Sequence, residues 1–193
     1  MTASASQATG IHLDTSPRPR TETKTIGFVD CCGFSAYTEA NGDAAGLSVH
    51  LRMRRALELE AASAGVTVVK WMGDGAMLAG DNGNAVLSCV YRTMLAMRES
   101  GSLPLRAGIT SGRVTRVPCG ELDYLGHAVN RAARLCAQAT PWQARAARSS
   151  GCGALHFTLR PSSVSASRDD DLSSARRVSR VRPDWLSAGA DAA

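Results

Sequence analysis

The sequence predicts an α+β domain, and three observations carry that reading. Val66–Leu78, VTVVKWMGDGAML, joins two β-branched, apolar runs through a Gly-Asp-Gly turn, the pattern of a β-hairpin. Two later stretches, Ala44–Ala62 and Asn84–Arg98, repeat apolar residues at helical spacing. The resulting order is strand, helix, hairpin, helix, hairpin, helix. That order suits a mostly antiparallel sheet covered by helices on one face, not a doubly wound parallel sheet.

Each element has its own justification. Residues 1–24 are rich in Ser, Thr, Ala and Pro and predict a disordered lead. Thr25–Cys31, TIGFVDC, predicts a short buried strand, and Gly33 permits a sharp turn after it. Asp30 is costly to bury in such a strand unless paired, coordinated or used as a cap. In the first helix, Val49, Met53 and Leu57 form one apolar row with Ala56 beside it; Leu47 and Leu51 form a shorter row on another side. Gly65 can end that helix. In the hairpin, the turn glycines predict an exposed Asp74 on a stiff base, suited to a hard cation. Asp-Gly is also a common turn with no further role.

Asn84–Arg98 predicts a second helix with Val86, Val90, Met94 and Met97 on its buried face. Pro104–Pro118 reads as a second hairpin, Leu105–Thr110 and Arg113–Val117 around a Ser-Gly turn. Gly120–Gly126 reads as a loop and His127–Ala139 as a helix. Asn130 and Arg134 share one face of that helix, and the small Ala132, Ala133 and Cys136 favour close packing. By itself that polar face reads as solvated, and His127 is given no role. After residue 140 the texture changes to Ser, Arg and Ala with an Asp169–Asp171 run and no sustained period. Little cooperative structure is expected there beyond a short strand near Leu155–Leu159.

Composition limits the function classes. A chain of 193 residues is long enough for one domain with its own core. The net charge of +5 sits in the flanks, while residues 26–140 are nearly neutral, and no basic stripe alternates with aromatics. No nucleic-acid partner is predicted. No apolar run approaches the ~18 residues of a membrane helix, and the first residues do not resemble a signal peptide. The expectation is a cytoplasmic protein without a membrane partner. The six cysteines form no C-x-x-C pair, and most read as buried free thiols.

Several of these residues combine into a phosphate-chemistry set. Asp30 and Asp74 are carboxylates on separate elements, able to hold two metal ions about 4 Å apart. The Cys32–Ser35 turn can offer backbone N–H groups to phosphate oxygens. Lys70 and Asp123 are a donor and an acceptor able to read a purine edge. Asn130 and Arg134 can orient a sugar and stabilise charge on a reacting phosphate. Lys70 and Asp74 lie four residues apart in extended chain, ~13 Å at ~3.3 Å per residue, and would struggle to touch the base and the metals of one nucleotide in the same site. Two chains would resolve that conflict.

The segments FVDCCGFSAYTE, VVKWMGDGAML, LRAGITSGRV and DYLGHAVNRAARL, in this order, resemble the class III nucleotidyl cyclases over about residues 25–140. The resemblance implies a ferredoxin-like fold and head-to-tail homodimers with sites at the interface. It implies Asp30, Asp74 and the Cys31 carbonyl as contacts of two Mg²⁺ or Mn²⁺ ions, and Phe34 and Ser35 as backbone phosphate contacts. It further implies Lys70 and Asp123 as the adenine-selecting pair, Asn130 as the ribose-orienting residue and Arg134 as the transition-state arginine. The substrate implied is ATP, the products cyclic AMP and pyrophosphate. The chain departs from the family at its C-terminus: no lysine follows Lys70. The abrupt change at Thr140–Trp142 suggests a truncated or frame-shifted end, hence missing C-terminal strands and an unprotected sheet edge. The alternative is a cyclase-like module that binds nucleotide or dimerises without turnover. A diguanylate cyclase or polymerase relative is disfavoured, because Gly75 follows Asp74 where those diguanylate cyclases carry Glu.

Overall fold

The computed structural model describes residues 19–118, 120–147 and, as backbone, 154–158. The elements are β1 (Arg20–Cys31), α1 (Phe34–Asn41), α2 (Asp43–Ala64), β2 (Thr67–Met72), β3 (Gly75–Gly80), α3 (Gly83–Glu99), β4 (Leu105–Arg116), β5 (Tyr124–Leu125), α4 (His127–Ala137), β6 (Gln143–Ala147) and β7 (Ala154–Thr158). The strands form one sheet in the order β2-β3-β1-β4-β6-β7, with β5 paired to β4. All pairings are antiparallel except β4 with β6.

β1 is the spine of the sheet. It pairs along its whole length with β4, from Arg20↔Arg116 to Cys31↔Leu105, and on its other side with β3. It starts five residues before the expected Thr25, because residues 20–24 find partners on β4. Alternate residues of a strand face opposite ways. Val29 and Cys31 join the core beneath α2 and α3, with Met53, Leu57, Val90 and Met94. Ile26 joins a second core beneath α4, with Val114, Ala128 and Ala132. Helices therefore cover both faces, not one as the element order suggested. Within α2, Val49, Met53, Leu57 and Ala61 are buried, whereas Leu47 and Leu51 are exposed.

Residues 105–116 form one continuous strand, not a hairpin. Neither Gly108 nor Gly112 adopts a positive φ. Gly108 is needed for a different reason: a Cβ there would stand 2.2 Å from Ala132 O and Cys136 N. The strand gives up a side chain so that the backbone of α4 can press against it. Gly112, four residues on and on the same face, also lies against α4, where its Cβ would meet Ala128 Cβ at 3.1 Å.

The sheet also continues past residue 140. The chain turns through Trp142, the one non-glycine among the described residues with positive φ (63°), whose N–H donates to Leu105 O at 2.8 Å. β6 then lies parallel to β4, with Thr110 Oγ1 donating to Ala147 O at 2.9 Å, and β7 pairs antiparallel to β6. The strand expected near Leu155–Leu159 is β7. Residues 1–18 and 159–193, including Asp169–Asp171, lie outside the described residues.

β2 carries a bulge. Val68 opposes Leu78 and Lys70 opposes Met77, so Val69 is the extra residue between them. Val69 packs in the α4-side core and Lys70 points to that same side, while Val68 and Trp71 pack on the α2–α3 side. Among the described residues, no helix is long and apolar enough to cross a membrane.

Candidate active site

The end of β1 and the β2–β3 turn meet. The Cys31 N–H donates to Asp74 O at 3.2 Å, which fixes the turn against the strand that carries Asp30. Gly73 supplies the turn's positive φ (63°). Gly75 matters through its missing side chain, because a Cβ there would stand 3.2 Å from Asp30 Oδ1 and 2.9 Å from Val29 O. Its bare backbone leaves room for the Asp30 carboxylate beside the turn. Asp74 is half-buried, not exposed at the tip as expected. Burial pushes its carboxyl up from the usual range, and the negative charge of Asp30 adds to the rise.

Asp30 faces the α4 side and is paired. Arg106, its direct partner across β4, places Nε 2.8 Å and a terminal nitrogen 2.6 Å from Asp30 Oδ2. The other terminal nitrogen donates to Ala137 O at 3.5 Å, at the C-terminal end of α4. Sequence reasoning missed Arg106. The signal was available: it is a charge in the apolar run LRAGIT, as Asp30 is in TIGFVDC.

Next to Asp30 the chain turns at Gly33 (φ 74°) into α1, which has no side-chain cap. The first intrahelical bond runs from Tyr37 N–H to Gly33 O, which leaves the Phe34 and Ser35 N–H groups at a helix N-terminus without helical acceptors. Phe34 packs against the core and holds that end in place; Ser35 is exposed. These N–H groups and the carboxylates lie at one end of β1.

Lys70 and Asp123 are brought together elsewhere. Lys70 Nζ donates to Asp123 Oδ2 at 2.7 Å, and Tyr124 N–H donates to Asp123 Oδ1 at 2.8 Å. Burial pushes the Asp123 carboxyl up, but the bonds from Lys70 and Tyr124 outweigh it and the net shift is downward. Asn130 and Arg134 lie on the exposed face of α4, and their side chains have no partner among the described residues. Behind Lys70, Trp71 is held by Arg54 over its ring at 5.1 Å and by His50 edge-on at 5.7 Å.

The donor set suits a hard divalent cation. Asp30 and Asp74 repel each other, and a dication between them would relieve that repulsion. Among the described residues no three acidic, His or Cys side chains gather around a point. Two carboxylates and the Cys31 carbonyl would leave the remaining positions to water and phosphate oxygens, as Mg²⁺ prefers. Cys31, Cys32, Cys89 and Cys136 are free; burial pushes the Cys31 and Cys136 thiols up to about 12 and the Cys89 thiol to about 11. Cys119 and Cys152 lie outside the described residues.

No protein-family model matches the chain, and no curated protein does. Solved structures do. The guanylyl cyclase Cya2 superimposes with a TM-score of 0.61 at 21% identity over 66% of this chain and 76% of that one. The monomeric guanylyl cyclase domain of the RhoGC fusion protein from Blastocladiella emersonii gives 0.64 at 17% identity, over 68% and 84%. The adenylyl cyclase CyaB from P. aeruginosa gives 0.59 at 19% identity, over 67% and 79%. The chain has the fold of the class III nucleotidyl cyclase catalytic domain.

Proposed function

We propose that the chain is a nucleotidyl cyclase acting on ATP, forming cyclic AMP and pyrophosphate at two equivalent sites of a head-to-tail homodimer. One observation carries the reading: the chemistry-bearing residues form two groups within one chain. Asp30, Asp74 and the N-terminus of α1 are one; the bonded Lys70–Asp123 pair and the exposed Asn130 and Arg134 of α4, which we take together, are the other. The second group reads a base and contacts a sugar and phosphate, yet Asn130 and Arg134 face outward. A second copy of the chain would supply the first group to the second.

In that site, Asp30, Asp74 and the Cys31 carbonyl would hold Mg²⁺ or Mn²⁺. The bound ions would lower the pKa of the attacking hydroxyl and neutralise phosphate charge. The Phe34 and Ser35 N–H groups bind phosphate oxygens. Lys70 donates to a ring nitrogen of adenine while Asp123 accepts from its amino group, a pattern that guanine does not match. Asn130 orients the ribose so that its 3′-oxygen lies in line with the α-phosphate, and Arg134 stabilises charge that develops there.

The test is cyclic AMP formation from ATP with Mn²⁺ at two protein concentrations, with GTP in parallel. Specific activity rises with protein concentration, ATP is preferred, and Asp30→Ala and Asp74→Ala each reduce the rate at least ~100-fold. Equal activity in the two variants and the parent overturns the metal site.

A further inference from the structure

The metal reading leaves one charge unaccounted for, the Arg106 guanidinium. Two of its nitrogens converge on one oxygen of Asp30, Oδ2, at 2.8 and 2.6 Å. The arrangement is built into the sheet, because Asp30 and Arg106 are direct cross-strand partners on the same face. The third nitrogen is tied to Ala137 O, so the guanidinium is held from two sides. The two side chains are 28% and 36% exposed, so water screens the pair only in part.

The Asp30 carboxylate is thus divided. Oδ2 is taken by Arg106, and Oδ1 lies over Gly75, beside the turn that carries Asp74. A cation held by Oδ1 and Asp74 leaves the ion pair intact. A second cation that shares these carboxylates needs Oδ2 as well. Formal charge argues the same way. Two carboxylates and one guanidinium sum to one negative charge, which a first dication already over-neutralises. A second then meets a positive site unless Arg106 withdraws or phosphate arrives.

Resting on the metal site proposed above, we propose that Arg106 is the resident counter-ion of that site. It lets the nucleotide-free chain take one divalent cation, and the second cation must displace it from Asp30. Arg106 thereby sets the order of assembly, and its contact with Ala137 couples that step to α4, the helix that carries Asn130 and Arg134.

The test is Mn²⁺ titration of the full chain without nucleotide, free Mn²⁺ being read by electron paramagnetic resonance. The parent binds one Mn²⁺ per chain. Arg106→Ala binds a second at a concentration at least about fivefold below that needed by the parent. Equal stoichiometry and affinity in the two proteins overturn the proposal. Asp74→Ala separates the failures: if it abolishes the binding being counted, the ions sit at this site and only the role of Arg106 is at stake. Binding that is absent from the parent, or untouched by Asp74→Ala, removes the metal site and this proposal with it. A measurement on the parent covers a misfolded Arg106→Ala. The Arg106 Nε–H resonance, assigned by its absence in Arg106→Lys, persists through the first equivalent of Mg²⁺ and is lost with the second. Loss with the first equivalent overturns the proposal.

Discussion

Asp74 is a carboxylate whose charge the fold disfavours. Its folded-state pKa is raised, first by burial and then by Asp30. The folded chain therefore binds this proton more tightly than the unfolded one. That contribution to stability is complete below the unfolded value and is lost as pH rises through the folded pKa. Asp74→Asn is expected to raise the melting temperature of the cation-free protein at pH 7 while removing activity, and the gain should vanish below about pH 4. Thermal melts at both pH values check this. Asp123 has the opposite sign. Its pKa is lowered on balance, so its pairing stabilises above the unfolded value and is lost as pH falls through the folded one. Asp123→Asn should cost up to about 1 kcal/mol at pH 7 and nothing in strong acid, since the pair is partly exposed. Asp30 and Asp74 were legible in the sequence because carboxylates in apolar runs demand a reason. Arg106 carried the same signal in LRAGIT and was passed over because its run was read as half of a hairpin.

At the scale of elements, glycine was the ambiguous letter. A Ser-Gly step between β-rich runs fits a turn as well as it fits a strand pressed against a helix. Only the position of α4 decides between them. Gly108→Ala forces a Cβ into the α4 backbone at 2.2 Å, where no side chain can move aside. It should destabilise by upwards of about 3 kcal/mol or leave no folded protein. Gly112→Ala, which meets only the Ala128 methyl, should cost far less. Denaturant midpoints of the two variants give the comparison. The long helices were legible from their period: Leu57, fully buried, lies in the α2 row read from sequence. α1 was not legible, because it has eight residues, none of them buried, and no capping side chain.

At the scale of the whole molecule, the proposed two-chain site makes a prediction that no single chain can satisfy. Asp74→Ala and Arg134→Ala damage different groups, so each protein alone should be inactive. Mixed in equal amounts with free exchange, half of the dimers would be mixed, each with one intact site of two. Activity should return to roughly a quarter of the parent value, read as cyclic AMP formed after co-incubation. No recovery from chains shown to exchange would place all site residues in one chain. The Lys70–Asp74 spacing motivates the two-chain proposal, and this mixing experiment decides it. The continuation of the sheet after residue 140 was not legible in the sequence, since QARAA lacks the β-branched residues that announce a strand. β4 supplies its partner instead.

The bulge at Val69 acts as a length buffer. The paired partners Val68↔Leu78 and Lys70↔Met77 would be consecutive if Val69 were removed. Losing that one residue would empty a place in the α4-side core yet keep Lys70 turned toward Asp123. No such slack exists between Lys70 and Asp74. The chain runs there in regular register to the turn, Lys70↔Met77, Trp71↔Ala76, Met72↔Gly75. An added residue in that span would reverse the facing of Lys70 or shift the turn off Cys31. Insertions and deletions accumulated over evolutionary time should therefore be found before Lys70 and be absent between Lys70 and Asp74, even where every side chain around them has changed.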